Sequence, residues 1–356
     1  MNPSPQVRNP SAARPQVDQG RIDRNLGIEL VRVTEAAALA AAPHMGRGDG
    51  KAGDRAAVEA MRAVLGTVRM EGRVVIGEGE KDEAPMLYNG EEVGSGDPPA
   101  LDLAVDPVEG TRLLALGRSN AISVIAAAPR DTLWEPGSSF YMDKIVVGRD
   151  AREAVDITLS PTENLNRIAE ALGSPVRELT VFVLDKPRHV ALVDEIRKAG
   201  ARVSLHTDGD VMGGLLATYP GTGIDVLMGI GGTPEGVVTA VAVKALEGGM
   251  QGRRAPQLDE ERARLNAELD PGELDRILGL DDLVASDDGF FAATSITGGN
   301  FLEGVRYHRD LGVTTESLAI RIRSGSIRLI RGTHRLDAEH IFGPGDRDLV
   351  LGTVTD

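Results

Sequence analysis

After Pro161 the chain alternates strand-length apolar runs with helix-length amphipathic ones, and few architectures accommodate that rhythm. PTENLNRIAEALG reads as a helix, LTVFVLD as a strand, and KPRHVALVDEIRKAG as a helix closed by Gly200. ARVSLH, DGDVMGGLLATY, GIDVLMGI and TPEGVVTAVAVKALEG continue as strand, short helix, strand and helix. This order predicts an α/β fold whose parallel sheet is joined by crossover helices. Ligands on such a sheet gather beyond the carboxyl ends of the strands. KPR, DGD and GIGGTPEG all fall at those ends.

The first half is less regular. Apolar residues at helical spacing (Leu26, Leu30, Val31, Val33, Ala37) predict a helix to about Met45. GRGDGKAGD then reads as a loop, with Asp54 as N-cap of a second helix. VVIG, LDLAV, NAISVIAAAP and MDKIVVG read as strands, the third apolar almost throughout, as buried strands are. Ala255–Ile277 is charged, helix-prone and broken at Pro271–Gly272, and reads as an exposed excursion. LAIRIR and SIRLIR predict a hairpin around Ser324–Gly325. A chain of 356 residues favours two subdomains over one. The expected division is a disordered lead-in (1–23), a metal-binding subdomain (24–160), an α/β substrate subdomain (161–336) and a tail (337–356).

Charge and composition exclude several functions. A formal charge of −15 repels nucleic acid, and 3% aromatic residues leave little to stack bases on. No run approaches the ~20 apolar residues needed to span a bilayer. The absence of cysteine excludes disulfides, thiolate metal sites and a cysteine nucleophile, and fits a cytoplasmic protein. The six histidines show no HExxH spacing. Any metal site is therefore expected to be built of oxygen, the chemistry of Mg2+ or Mn2+. A bound cation would also reconcile an acidic protein with a phosphorylated ligand.

The strongest local signal is Asp106-Pro107-Val108-Glu109-Gly110-Thr111 at a strand end. Asp106 and Glu109 offer two carboxylates, Gly110 permits close backbone approach, and Thr111 is placed to cap the following helix. The amides of Gly110 and Thr111 would face a phosphate. The same six residues also suit an ordinary capped strand–helix junction. GEGEKDEAP clusters Glu78, Glu80, Asp82 and Glu83, which alone reads as a solvated acidic loop or as a cation site. GIGGTPEG fails the dinucleotide pattern at Pro234, and leaves Glu235 in a first helical turn, either reaching a cation or answering the dipole. Lys186 and Arg188 could hold a second phosphate. Asp208 and Asp210 could accept sugar hydroxyls or cap a helix.

DPVEGT resembles the signature of the lithium-sensitive, metal-dependent phosphatase superfamily. RNLGIELVRVTEAAALAAAPHMGRGD, VVIGEGEKDEAPMLYNGEEVG, DLAVDPVEGT, KPRH, DGDV and GIGGTPEGV resemble the class II fructose-1,6-bisphosphatases of bacteria, in order, from about Arg24 to Leu336. The resemblance implies a layered α-β-α-β-α sandwich of two subdomains, of the sugar-phosphatase type, in a homodimer or homotetramer. It implies hydrolysis of the 1-phosphate of fructose 1,6-bisphosphate in gluconeogenesis, with Mg2+ or Mn2+. Asp54 and Glu78 would hold one metal, and Asp106, Glu109 and Glu235 a second. Thr111 would orient the attacking water, with Asp82 assisting. Glu109, Gly110 and Thr111 would meet the reacting phosphate. Tyr141, Lys186, Pro187, Arg188, Asp208, Gly209, Asp210 and Gly232 would line the sugar and the far phosphate. The family usually reads GRGDK, whereas here Gly50 follows Asp49 and the lysine comes one later, at Lys51. The rival readings are a dual fructose/sedoheptulose bisphosphatase, an inositol-phosphate phosphatase and a non-catalytic nucleotide-binding module.

Overall fold

The computed structural model describes residues 22–78, 87–309 and 312–335. Residues 1–21 of the lead-in expected over 1–23, the tail from 337, and Glu80, Asp82 and Glu83 lie outside the described residues.

Helix α1 (Leu26–Ala41) is alanine-rich and buried almost all round. Helix α2 (Gly50–Leu65) buries Ala57, Val58, Ala60, Met61, Val64 and Leu65 along one face. Asp49, not Asp54, is its N-cap, accepting the Ala52 amide at 3.0 Å. Asp54 therefore sits inside the helix with its side chain free for another purpose. Strands β1 (Glu71–Ile76), β2 (Glu92–Val93) and β3 (Ala100–Glu109), helix α3 (Thr111–Leu116) and strand β4 (Ile122–Pro129) follow. β3 runs four residues past the expected end at Val105, through the DPVE of the motif.

Next come β5 (Tyr141–Val147), α4 (Pro161–Leu172), β6 (Thr180–Leu184), α5 (Val190–Ala199), β7 (Arg202–His206) and α6 (Asp210–Thr218). The capping box of Ser160 and Glu163 starts α4, and Gly200 ends α5 in the left-handed conformation. β8 (Val226–Gly232), α7 (Thr233–Ala245), β9 (Gly249–Arg254), α8 (Asp259–Glu268), β10 (Leu278–Gly279) and α9 (Leu280–Leu283) continue the chain. β11 (Phe290–Ser295), β12 (Arg306–His308), β13 (Gly312–Arg321) and β14 (Ser326–His334) complete it, the last two forming the expected hairpin.

Two mixed sheets result, ordered β12-β13-β11-β4-β3-β1-β2 with β14 on β13, and β10-β9-β5-β8-β6-β7. The expected parallel pairing holds for β8-β6-β7, joined through α5 and α6, while β5, β9 and β10 add antiparallel strands. The sheets do not divide the chain at residue 160. β5 joins the second sheet, and Phe290–His334 returns to the first. Side-chain alternation along each strand explains the layering. Leu101, Leu103 and Val105 of β3 pack with α1 and α2, while Ala104 faces α6 and α7. Met142 and Val146 of β5 face that same middle layer, and Ile145 and Val147 pack with α4 and α5. The order is helix, sheet, helix, sheet, helix: the expected five-layer α-β-α-β-α sandwich.

The middle helices lie close because glycines line their contact. A Cβ on Gly214 of α6 would overlap Thr239 Cγ2 of α7. On an exposed helix Gly→Ala stabilises by about 1 kcal/mol. Here overpacking opposes that gain, and Gly214→Ala is expected to lower the urea-unfolding free energy by about 1–3 kcal/mol. A variant more stable than the parent would refute this tight packing.

Candidate active site

One cavity of about 630 Å³ opens where the strand ends of both sheets meet the N-termini of α6 and α7. Its lining includes Glu78, Asp106, Glu109, Asp208, Asp210 and Glu235, with Lys186 and Arg188 as cations and Gly110, Thr111, Tyr141 and Gly232 between them. Most of the residues singled out in the sequence thus meet in one place.

A bulge sets the two carboxylates of DPVEGT. Residues three apart on a regular strand point to opposite faces. Asp106 pairs with Val124 but Glu109 with Ile122, so β3 holds one extra residue, and parity is restored. Asp106 accepts the Val108 amide at 3.0 Å, and Glu109 accepts the Val211 amide of α6 at 2.7 Å. Gly110 has φ of +85° and occupies the cap position expected of Thr111. Thr111 instead opens α3, and its hydroxyl donates to the Val108 carbonyl at 3.0 Å. Glu78 is fixed by its amide on the Leu87 carbonyl at 2.8 Å.

Asp54 does not line the cavity, but stands on α2 near enough to Glu78 to raise it, and α2 packs on α3 through Gly50 and Gly53. A Cβ on Gly50 would lie 2.8 Å from Thr111 Cγ2, while Lys51 is exposed. The departure from GRGDK thus falls directly on the neighbour of Thr111. Lys186 donates to the Thr207 carbonyl at 2.8 Å. Arg188 donates to the Ile230 carbonyl and lies over the Tyr141 ring, 5.3 Å from its centroid. Pro187 begins a short 3-10 turn between them. Gly209, with φ of +92°, precedes α6.

The sequence reading missed Lys144 and Gly231. Lys144 Nζ, 2% exposed, lies 2.5 Å from Asp210 Oδ2 and 2.7 Å from the Gly232 carbonyl. Asp210 is therefore an ion-pair partner, not a helix cap. A Cβ on Gly231 would overlap the Asp210 carboxylate, and one on Gly232 that of Glu235. A lone lysine within the apolar run MDKIVVG was the available signal.

Burial and mutual repulsion dominate the electrostatics. Burial, then Asp54 and Glu235, pushes Glu78 up to about 7. Burial, then Asp210, pushes Glu235 up to about 7, against the pull of Lys144. Burial and neighbouring carboxylates hold Asp106 and Glu109 well above the usual range. Burial raises Asp54. Among the described residues, Glu235 Oε2 is buried without a hydrogen-bond partner. An all-oxygen donor set carrying this excess of negative charge fits a hard divalent cation. Among the described residues, no three acidic or histidine side chains converge closely enough to hold an ion as placed. The carboxylates surround the cavity rather than share one point.

The pH dependence follows from Glu78 and Glu235. A carboxyl raised from 4.5 to about 7 contributes stability that is present below pH 4.5 and lost as pH rises through 7. In chelator, the melting temperature is expected to fall between pH 5 and 8, and Glu235→Gln should flatten that fall. Divalent cation should restore the loss at pH 8, because it binds the ionised form. A melting temperature that climbs across this window without cation would contradict the repulsive cluster.

Comparison with known proteins places this geometry. The family described as "Bacterial fructose-1,6-bisphosphatase, glpX-encoded" matches residues 24–334. The chain is 45% identical to "Fructose-1,6-bisphosphatase 1 class 2" of Escherichia coli (strain K12) over 328 residues, 88% of this chain and 96% of the relative. It is equally similar, over the same shares, to "Fructose-1,6-bisphosphatase class 2" of Shigella flexneri. The chain belongs to the bacterial, glpX-encoded fructose-1,6-bisphosphatase family.

Proposed function

We infer that this chain hydrolyses fructose 1,6-bisphosphate to fructose 6-phosphate and phosphate in gluconeogenesis, at the cavity between the two sheets. One observation carries the reading. Six carboxylates and the two cations Lys186 and Arg188 line a single volume of about 630 Å³, suited to a metal-bound phosphate ester at one part and a free phosphate at another.

Asp54, Glu78, Asp106, Glu109 and Glu235 would hold the divalent cations, Mg2+ or Mn2+. Such ions supply charge neutralisation of the ester, a more acidic water and stabilisation of the leaving oxygen. The chain's own residues do the rest. Gly110 lets the backbone approach the reacting phosphate, and Glu109 is steadied by the Val211 amide. The Thr111 hydroxyl, already 3.0 Å from a carbonyl acceptor, can turn to orient the attacking water. Lys186 and Arg188 hold the 6-phosphate, with Pro187 fixing their spacing and Tyr141 backing the guanidinium. Asp208 and Asp210 accept sugar hydroxyls, with Gly209 and Gly232 keeping the floor open. Asp82, outside the described residues, is assigned to water activation on resemblance alone. The chain works in the cytoplasm as a homodimer or homotetramer. Among the described residues, no helix is long and apolar enough to cross a membrane.

The two halves of the site are separable by kinetics. Asp106→Asn should lower kcat by about a thousandfold or more, as loss of a transition-state contact does. Arg188→Ala should mainly raise KM, by about tenfold or more. Phosphate release is measured with Mg2+, with Mn2+ and with chelator. Sedoheptulose 1,7-bisphosphate and inositol 1-phosphate are compared as substrates. A better rate on either would displace the substrate assignment, and near-parental activity in Asp106→Asn would remove the metal assignment.

A further inference from the structure

Ala255–Ile277, expected as an exposed excursion, contains a carboxylate that is almost completely enclosed. Glu261 of α8 is 1% exposed, while Asp259, Glu260, Arg262, Ala263 and Arg264 around it are exposed. No lysine or arginine pairs with it among the described residues. Its Oε1 accepts the backbone amides of Phe140 at 2.7 Å and Tyr141 at 3.0 Å, and its Oε2 accepts that of Gln257 at 3.0 Å. A buried carboxylate is costly unless hydrogen bonds replace its water, and here three amides do so.

Those amides sit at the mouth of the catalytic cavity. Phe140 and Tyr141 lead into β5, and both line the cavity, as does Leu258 one residue before α8. The Phe140 carbonyl accepts the Thr233 amide at 2.9 Å, in the first turn of the helix that carries Glu235. The Tyr141 carbonyl accepts the Ala255 amide at 2.8 Å. At the other end of α8, Ser138 Oγ donates to Glu268 at 2.7 Å. The segment 138–141 and α8 are therefore fastened at both ends, with Glu261 between. Phe140 and Leu258 remain 48% and 55% exposed, two apolar side chains at the rim of a cavity whose charged lining is polar.

We propose that Glu261 is a positioning residue: it fastens α8 to Phe140–Tyr141 so that Leu258, Phe140 and Tyr141 form an apolar lip over the sugar and its far phosphate. The proposal rests on the reading that Tyr141 and Arg188 serve that half of the substrate. A carboxylate is required because one group must accept from amides on both sides. Glutamine can accept on one oxygen, but its NH2 would face the Gln257 amide and leave it unpaired.

The test compares Glu261→Ala, Glu261→Gln and Leu258→Ala in the full-length protein. Four quantities are read: kcat and KM on fructose 1,6-bisphosphate, the Kd of fructose 6-phosphate, and the Kd of Mn2+ by calorimetry. Glu261→Ala should raise KM and the fructose 6-phosphate Kd by about tenfold, with kcat and the Mn2+ Kd within about twofold. Glu261→Gln should rescue part of the loss, and Leu258→Ala should reproduce part of it. A parallel fall of kcat and Mn2+ affinity would mean general loosening and would overturn the lip. An unchanged KM in Glu261→Gln and Leu258→Ala would overturn it even where Glu261→Ala fails to fold. A parent protein inactive on fructose 1,6-bisphosphate would overturn the functional reading itself, whereas failure of the lip alone shows only in the variants.

Discussion

Lys144 stands on the inner face of β5 between Met142 and Val146, both without exposed surface, where an ammonium is stable only if its charge is answered inside the protein. The answer comes from Asp210 and from the Gly232 carbonyl. Asp210 opens α6, whose next amide holds Glu109, and Gly232 precedes the turn that carries Glu235. One buried cation therefore fixes the starting points of both middle helices. It also offsets part of the repulsion on Glu235, whose Oε2 has no hydrogen-bond partner among the described residues. Removing it would leave Asp210 as a buried, uncompensated charge at the point where the two sheets meet.

The glycines beside it are a consequence of the same crowding. Carboxylates can approach each other across a small volume only where backbone replaces side chain. Gly231 lies under the Asp210 carboxylate and Gly232 under that of Glu235, and neither position has room for a Cβ. Gly50 plays the corresponding part on the other side, where α2 meets Thr111. Of these glycines, Gly231 and Gly232 line the cavity itself, whereas Gly50 lies behind Thr111.

Local pattern and long-range pairing were legible to different degrees. The β6-α5-β7-α6-β8-α7 run could be read because each element shows its own period, and Gly200 marks an end that depends only on neighbours in sequence. The antiparallel placement of β5 and β9 could not, since nothing in MDKIVVG says which edge it joins. The return of Phe290–Ser295 to β4 is likewise a pairing of distant segments. Asp49 displaced Asp54 as a cap: both precede helix-prone residues, and the helix starts at Gly50 with Asp49 accepting the Ala52 amide. Most of the residues singled out by a motif are ones that line the cavity. Lys144 and Glu261 were missed because their partners are a carboxylate 66 residues away and two amides about 120 residues away.

The middle layer bears on how an acidic protein can take a substrate with two phosphate groups. The carboxylates of Asp106 and Glu109 rise from the first sheet, while Lys186 and Arg188 follow β6 of the second. Neither sheet alone lines the cavity: the first supplies Asp106 and Glu109, and Lys186 and Arg188 come from the strand end of the second. α6 and α7 pack against both sheets, and each contributes its N-terminal turn to the cavity. The two helices meet tightly, since a Cβ on Gly214 of α6 would overlap Thr239 Cγ2 of α7. Because packed interiors deform little, that contact holds the two N-terminal turns, and with them Asp210 and Glu235, at a fixed separation beside the cavity.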